Sequence, residues 1–193
     1  MKRTSALEGE QRLIVAGFGG QGILTLGKLL CLAAMQEGRQ VTYLPSYGAE
    51  VRGGTAHCHV VISPDPIFSP LVEQADSLLI LNAQSFERFA NSVRPGGLLV
   101  LNTSLADPGD YAVSHPVTLL PVPATERALE LGTVLVANVL MLGAFMKAAG
   151  LCRDESVEAA LRQSLTGRKS KSLEVNLQAY KAGAALAQRA LRR

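Results

Sequence analysis

The chain has 193 residues, 48% of them hydrophobic and 18% charged, so we expect one domain with a sizeable core, spanning residues 1–193. Its three cysteines are far apart and odd in number, which argues against a disulfide framework and against a four-cysteine metal or iron–sulfur site. The N-terminus lacks the apolar stretch of a signal peptide, and the longest apolar run, residues 134–146, is shorter than the ~20 residues that a membrane span needs. These features predict a soluble, cytoplasmic protein with no membrane partner.

The net charge of +3 is unevenly distributed along the chain. From Arg168 onward, seven lysines and arginines accompany a single acidic residue, Glu174. A basic tail of this kind could contact nucleic acid or an acidic protein. Because no nucleic-acid motif accompanies it, the pattern favours a solvated helix face, and we expect no nucleic-acid partner.

Short apolar runs alternate with segments of helical spacing, which is typical of α/β proteins. The runs predict strands at residues 13–16, 41–44, 56–62, 78–81, 98–101 and 117–120, with Pro45 and Pro121 ending the second and the sixth. Helices are predicted over residues 21–37 and 84–93, the latter closed by Pro95-Gly96-Gly97. We therefore expect a three-layer, Rossmann-like α/β domain with a largely parallel central sheet.

The chain beyond the sixth strand has helical character only. Residues 134–148 are apolar almost all round, as in a buried helix, and residues 154–165 have the composition of an exposed one. The last helix carries an apolar stripe formed by Leu173, Leu177, Tyr180, Ala184, Ala187 and Leu191. The stripe predicts packing on the domain or on a partner, and with the apolar composition it suggests a homo-oligomer when the chain is isolated.

A glycine-rich turn, Gly17-Phe18-Gly19-Gly20-Gln21-Gly22, joins the first predicted strand to the first helix. In this context the glycines let the backbone turn tightly, and its N–H groups can approach an anion at the positive end of the helix dipole. The turn therefore favours a phosphate or pyrophosphate ligand. The alternative is a tight strand-to-helix turn with nothing bound.

Nicotinamide binding requires an acidic residue at the end of the second strand to hold the ribose hydroxyls. Residues 43–46 at that strand end contain no acid, Glu37 precedes the strand, and Glu50 lies well past its end. The sequence thus argues against a dehydrogenase.

The loop after the second strand is the most distinctive segment of the chain: Ser46-Tyr47-Gly48-Ala49-Glu50-Val51-Arg52-Gly53-Gly54-Thr55. It combines glycines, which let the backbone come close to a ligand, with an arginine that can bind a carboxylate or a phosphate. Such a density of functional groups favours a binding loop. The alternative is that Glu50 and Arg52 form an ion pair on the surface and the glycines only shape a turn.

With both motifs, the chain resembles the gamma subunit of the 2-oxoacid:ferredoxin oxidoreductases, of the 2-oxoglutarate or branched-chain type within the pyruvate/ketoisovalerate oxidoreductase gamma family. The resemblance spans about residues 11–187, and it also includes Asn82, Asn102 and the segments 138–144 and 176–183. These thiamine-diphosphate enzymes convert a 2-oxo acid and coenzyme A into acyl-CoA, carbon dioxide and reduced ferredoxin.

The resemblance implies an oxidoreductase subunit that is inactive alone and works with alpha, beta and, where present, delta subunits. The chain has no Gly-Asp-Gly…Asn-Asn signature and no cluster motif, so thiamine diphosphate and iron–sulfur clusters are expected in the partner subunits. Coenzyme A is the expected co-substrate at this chain, which itself holds no cofactor, and neither a catalytic residue nor a metal ligand is assigned to it. The expected contact residues are Gly17, Gly19, Gly20, Gln21, Gly22, Tyr47, Glu50, Arg52, Gly53 and Gly54.

The chain departs from the family pattern after Ala56: the family commonly has Asn, Cys, and Thr or Ser there, and this chain has His57, Cys58 and His59. Two imidazoles on one strand face can ligate a metal, but no third ligand lies nearby in the sequence. We therefore interpret both histidines as polar strand residues near the binding loop.

Two other functions remain open. The chain could be the beta subunit of an indolepyruvate:ferredoxin oxidoreductase, which shares the Gly-Gly-Gln-Gly turn, or a stand-alone nucleotide-binding module. Neighbouring genes discriminate among the three: thiamine-binding alpha and beta chains favour the gamma subunit, and a large fused alpha chain favours the indolepyruvate enzyme.

Overall fold

The computed structural model describes residues 9–47, 55–109 and 113–192. Within them the strands are β1 (Gln11–Phe18), β2 (Gln40–Tyr47), β3 (Thr55–Ser63), β4 (Ala75–Ile80), β5 (Val93–Asn102) and β6 (Thr118–Val122). The helices are α1 (Ile23–Met35), α2 (Ala83–Phe89), α3 (Ala124–Glu130), α4 (Ala137–Ala149), α5 (Asp154–Ser164) and α6 (Leu173–Ala190). Short 3-10 turns at Ala90–Ser92, Val134–Val136 and Gly167–Ser172 precede β5, α4 and α6.

The strands form one sheet in the order β2-β3-β1-β4-β5-β6. The pairs β1·β4, β4·β5 and β5·β6 are parallel, whereas β3 is antiparallel to both of its neighbours. The predicted α/β fold with a largely parallel sheet and a helical C-terminal part is confirmed. Since β1, β4, β5 and β6 run the same way, the loops that follow them meet at one edge of the sheet.

Both faces of the sheet are covered, which explains the continuous apolar run of β1. Leu13 and Val15 belong to a core that also contains residues of α1 and of α3 to α6. Ile14 and Ala16 point to the opposite face and join a second core with residues of α2. Alternate side chains of a strand face opposite sides, so a strand between two helical layers must be apolar at every position.

The prediction that Pro45 and Pro121 end their strands was wrong. Pro45 pairs with Cys58 inside β2, which continues to Tyr47, and Pro121 pairs with Leu101 inside β6. Both strands lie at an edge of the sheet, where one side of the backbone needs no partner. Proline lacks an N–H group and is tolerated at such an edge.

The segment Pro95-Gly96-Gly97 was predicted to close the helix after β4, but it lies within β5. The helix ends earlier, at Phe89, and the pairing of β5 with β4 shifts in register between Ala75 and Ser77. Gly96 has a φ of +74° there and donates its N–H to the carbonyl of Pro116 at 2.8 Å. The glycines therefore form an irregularity in a strand instead of a loop.

The last helix packs on α4 through glycines. A Cβ on Gly143 would overlap the carbonyl oxygen of Tyr180, and a Cβ on Gly183 would overlap that of Leu140. Leu177, Tyr180 and Ala187 of the apolar stripe are buried inside the chain, whereas Leu191 is 56% exposed. The predicted homo-oligomer stays a prediction. No helix in the described part of the chain combines the length and apolarity needed to cross a membrane.

Candidate ligand-binding site at the glycine-rich turn

The glycine-rich turn connects β1 to α1 at the carboxyl edge of the parallel strands. Gly17 and Phe18 end β1, Gly19 and Gly20 form the turn, and the N–H of Gln21 donates to the carbonyl of Phe18 at 3.1 Å. Gly20 and Gly22 have φ values of +96° and +76°, a region that favours glycine. The predicted context of strand, glycine turn and helix is confirmed by this geometry.

Three glycines of the motif differ in what surrounds them. A Cβ on Gly17 would lie 2.5 Å from Cδ1 of Ile23, and a Cβ on Gly22 would overlap the side-chain amide of Asn138. A Cβ on Gly20 would meet no described atom within 4 Å. Gly17 and Gly22 are therefore needed for packing, whereas Gly20 leaves open space beside the backbone.

Gln21 holds the turn against the neighbouring strand β4. Its Oε1 accepts hydrogen bonds from the N–H of Phe18 at 2.7 Å and from Nδ2 of Asn82 at 3.0 Å. Its Nε2 donates to the carbonyl of Leu81 at 3.4 Å. The predicted ligand contact of Gln21 is not tested by this arrangement, but the side chain has a clear structural role.

Asn82 follows β4, Asn102 ends β5, and both continue the same polar network. Oδ1 of Asn82 accepts from the N–H of Ser85 at 2.9 Å and thereby caps α2. Nδ2 of Asn102 donates to the carbonyl of Leu81 at 3.3 Å. The two amides bind backbone groups, so they fix the loops at the carboxyl edge of the sheet.

The N-terminus of α1 lies directly behind the turn and is uncapped. Gly22 is the N-cap residue, and no side chain in the described ranges accepts a hydrogen bond from the first N–H groups of α1. Helix N-termini leave such donors unsatisfied and carry a partial positive charge. This end of α1 can therefore accept an anion.

A cavity of about 470 Å³ opens beside the turn. Gly20, Gly22 and Thr25 form its near wall, and Asn138 and Asn176, both buried, contribute to the far wall. Nδ2 of Asn138 donates to the carbonyl of Gly22 at 3.1 Å, which joins the two walls. The apolar lining residues are Leu29, Leu135, Val136, Val139, Leu161, Leu165 and Val175, and Lys169 adds a cation.

The far wall was missed by sequence reasoning because it comes from residues more than 110 positions beyond the turn. Asn138 and Asn176 were recognised only as parts of family-like segments. One local signal was present, since Asn138 interrupts an otherwise apolar run and a buried amide needs partners.

Five of the expected contact residues lie at the end of β2 or in the loop between β2 and β3. Glu50, Arg52, Gly53, Gly54 and the side chain of Tyr47 lie outside the described residues, so their assignment stays a prediction. Thr55, where β3 begins, pairs with Phe18 at the end of β1. The start of β3 is therefore next to the glycine-rich turn.

His57 and His59 face α2, on the side of the sheet opposite α1. The His57 ring lies 4.9 Å from the ring of Phe89 and 5.5 Å from that of His59, and the Arg88 guanidinium lies 5.1 Å from the Phe89 centroid. Nδ1 of His59 accepts the N–H of Val72 at 3.0 Å. Within the described residues, no group of three potential ligands that could hold a metal includes them.

Acid should destabilise the chain partly through His57. Burial, followed by the charges of His59 and Arg88, lowers the pKa of His57 from 6.5 to about 4. The unfolded chain therefore takes up this proton first, and stability present above pH 6.5 is lost as the pH falls toward 4. Thermal midpoints measured from pH 7.5 to 4.5 should fall less steeply for His57→Gln than for the wild type. Equal slopes for the two proteins would contradict the assignment.

Residues 12–186 match the family model described as pyruvate ferredoxin/flavodoxin oxidoreductase. The chain is 42% identical over 177 residues to ketoisovalerate oxidoreductase subunit VorA of Methanothermobacter marburgensis, and the match covers 91% of this chain but 36% of VorA. It is 34% identical to 2-oxoglutarate synthase subunit KorC of Methanocaldococcus jannaschii, with 89% of this chain and 92% of KorC covered. Indolepyruvate oxidoreductase subunit IorB of Archaeoglobus fulgidus is 31% identical, with 89% and 92% covered.

Solved structures share the fold. The gamma subunit of a keto/oxoacid ferredoxin oxidoreductase from Geobacter sulfurreducens is 26% identical, with a TM-score of 0.79 over 92% of this chain and 98% of that one. The 2-oxoglutarate:ferredoxin oxidoreductase of Magnetococcus marinus, with 2-oxoglutarate, coenzyme A and succinyl-CoA bound, is 24% identical, with a TM-score of 0.83 over 93% of this chain and 31% of that one. Since the family model covers most of the chain and KorC matches over nearly its full length, the chain belongs to the pyruvate ferredoxin/flavodoxin oxidoreductase family.

Proposed function

We propose that the chain acts as the gamma component of a 2-oxoacid:ferredoxin oxidoreductase, where it contributes to coenzyme A binding and to subunit assembly. In this reaction a 2-oxo acid loses carbon dioxide, two electrons pass to ferredoxin, and the acyl group is transferred to the thiol of coenzyme A. The likeness to KorC and to a solved gamma subunit supports this role. Alpha and beta chains, and delta where present, are the proposed partners.

The observation that carries the coenzyme A proposal is the open, uncapped N-terminus of α1 beside a cavity. Gly20 leaves free space at the turn, and the first N–H groups of α1 lie next to it. A pyrophosphate accepts several N–H donors at such a helix end and is favoured by the dipole. The glycine-rich turn is therefore the proposed site of the pyrophosphate of coenzyme A.

The rest of the cavity suits the remaining parts of that ligand. Its apolar lining from α1, α4, α5 and α6 can contact the alkyl portions of a pantetheine arm. The buried amides of Asn138 and Asn176 also line the cavity and can orient polar groups of the ligand. Lys169 lies at the same cavity and can pair with a phosphate. The complex of Magnetococcus marinus, which shares the fold, contains coenzyme A and supports the proposal by analogy.

The thiols of this chain do not suit an iron–sulfur cluster, which is bound by thiolates. Cys31, Cys58 and Cys152 are each buried, and within the described residues no group of three potential metal ligands includes them. We propose that the clusters and thiamine diphosphate belong to partner chains. The residues of this chain then bind and orient coenzyme A, and they perform neither decarboxylation nor electron transfer.

The substrate is proposed to be 2-oxoglutarate or a branched-chain 2-oxo acid, because KorC and VorA are named for these activities. An indolepyruvate oxidoreductase is the second candidate, because the chain is also similar to IorB. The identity to IorB is lower than the identities to VorA and KorC. Arg52 and Glu50 stay predicted contacts for a phosphate or a substrate carboxylate.

The test compares two glycine substitutions in the complex assembled with the alpha and beta chains of the same organism. Gly20→Ala places a methyl group in the open space of the turn, whereas Gly38→Ala, at the far end of α1, has a similar φ of +74° and also meets no described atom. Both should lower stability by about 1 kcal/mol. Only Gly20→Ala should weaken coenzyme A binding, by about tenfold, which corresponds to one or two lost hydrogen bonds.

Calorimetric titration of coenzyme A and the KM for coenzyme A during acyl-CoA formation provide the measurements. Equal effects of Gly20→Ala and Gly38→Ala on coenzyme A affinity would show that the motif is only a turn. A complex without acyl-CoA formation from any 2-oxo acid, or turnover by this chain alone, would contradict the subunit role.

A further inference from the structure

The connection between β3 and β4 presents an unusually exposed aromatic side chain. In this segment, residues 64–74 and here called the β3–β4 loop, Phe68 is 99% exposed and Leu71 is 49% exposed. Phenylalanine side chains normally gain much of their stability from burial. An aromatic ring held fully in solvent next to a second exposed apolar side chain is typical of an interaction site.

The β3–β4 loop is held in place on both sides of Phe68. Ile67 packs against the core on the α2 face, and Val72 is a buried member of that core. The N–H of Val72 donates to Nδ1 of His59 at 3.0 Å, and the N–H of Asp65 donates to Oγ of Ser63 at 3.0 Å. Pro64, Pro66 and Pro70 further restrict the backbone. Because the loop is already ordered, binding through Phe68 costs little conformational entropy.

The charge of the loop indicates the kind of surface that would receive it. Asp65 and Glu73 are both exposed, and residues 64–74 contain no lysine or arginine. An apolar anchor flanked by carboxylates is complementary to an apolar pocket with a basic rim. Nucleic acid and anionic lipid would be repelled by the same carboxylates.

The β3–β4 loop lies far from the proposed coenzyme A site. β3 ends at Ser63 beside the start of β1, where Gln11 pairs with Ile62, whereas the glycine-rich turn follows the opposite end of β1. A protein bound at Phe68 would therefore leave the turn and its cavity accessible.

We propose that Phe68 anchors this chain in an apolar pocket rimmed by lysine or arginine on another subunit of the oxidoreductase. The inference rests on the proposed function, since it requires a complex with other chains. Leu71 enlarges the apolar contact, and Asp65 and Glu73 pair with the basic rim. The central aromatic residue of such an interface contributes most of the affinity, and the charged flank adds orientation and salt dependence.

The experiment measures the affinity of the full chain for the alpha and beta chains of the same organism, at low and high salt, with coenzyme A affinity of the complex as a second measurement. Phe68→Ala should weaken assembly about tenfold or more while leaving the thermal midpoint of the isolated chain unchanged, because the ring contacts so little of its own chain. Leu129→Ala, which removes a 60% exposed apolar side chain from α3, is the matched control and should have no such effect. The double variant Asp65→Lys/Glu73→Lys should weaken assembly more at low salt than at high salt.

The outcomes separate this inference from the function on which it rests. If the wild type assembles and binds coenzyme A but Phe68→Ala assembles within twofold of it, or no more weakly than Leu129→Ala, the docking role of the loop is overturned and the subunit role stands. If the wild-type chain binds neither the alpha nor the beta chain, both proposals fail.

Discussion

Gly183→Ala should destabilise the chain, although alanine is the better helix former. In an exposed helix the substitution stabilises by about 1 kcal/mol. Here Gly183 is in the middle of α6, and a Cβ at this position would overlap the carbonyl oxygen of Leu140 on α4. Forcing the two helices apart costs roughly 1–3 kcal/mol or more, because their whole interface must shift. We expect the thermal midpoint to fall by several degrees, at about 2–4 °C for each kcal/mol in a chain of this size.

Whether the thermal midpoint rises or falls decides between a gain in helix propensity and a loss of packing between α4 and α6. Gly143→Ala, on the facing helix, should also destabilise, because its Cβ would overlap the carbonyl oxygen of Tyr180. Gln178→Ala, on the exposed side of α6, should change the midpoint little. A higher midpoint for Gly183→Ala, measured by calorimetry or circular dichroism, would show that α4 and α6 are not packed through these glycines.

The layers of the fold could be predicted from apolar periodicity because each element covers a continuous face. The run at residues 13–16 indicated a strand buried on both sides, and β1 has that environment. The helical spacing of residues 21–37 indicated α1, which forms at Ile23–Met35. These patterns depend only on which side chains meet the core, so one sequence was enough.

Strand order and strand ends depend on partners that are distant in sequence. The short link between β2 and β3 favours an antiparallel pair, but nothing local shows that β3 also pairs antiparallel with β1. The effect of Pro45 likewise depends on the edge position of β2, and an edge is a property of the whole sheet. The sequence therefore predicted the elements better than their arrangement.

The candidate site was likewise predicted in its local motif but not in its long-range contacts. The glycine-rich turn was predicted from its own residues, but the packing reason for Gly22 depends on Asn138, which is distant in sequence. Gln21 was expected at a ligand, and the structure adds its bonds to the end of β4, which the motif alone does not reveal. The apolar wall of the cavity is contributed by helices that resemble ordinary core helices in the sequence.

Asn102→Ala should be among the most destabilising single substitutions in the chain. Asn102 is 1% exposed, and its Oδ1 accepts the N–H groups of Ala124 at 3.0 Å and of Thr125 at 3.3 Å at the start of α3. Its Nδ2 donates to Oγ1 of Thr125 at 2.9 Å and to the carbonyl of Leu81 at 3.3 Å. Alanine would leave several of these groups without partners, at a cost of about 3 kcal/mol. Denaturant unfolding measures this loss.

Asn102→Asp and Asn91→Ala provide the comparison that identifies the cause. Aspartate keeps the acceptor for the N–H groups of α3, but it places a buried carboxylate against the carbonyl oxygen of Leu81, so its loss of stability at neutral pH should be no smaller than that of alanine. Asn91 is exposed and accepts a single N–H, from Ser114 at 2.8 Å, so its replacement should cost well under half as much. If Asn102→Ala were no more destabilising than Asn91→Ala, the polar network would not hold this edge of the sheet.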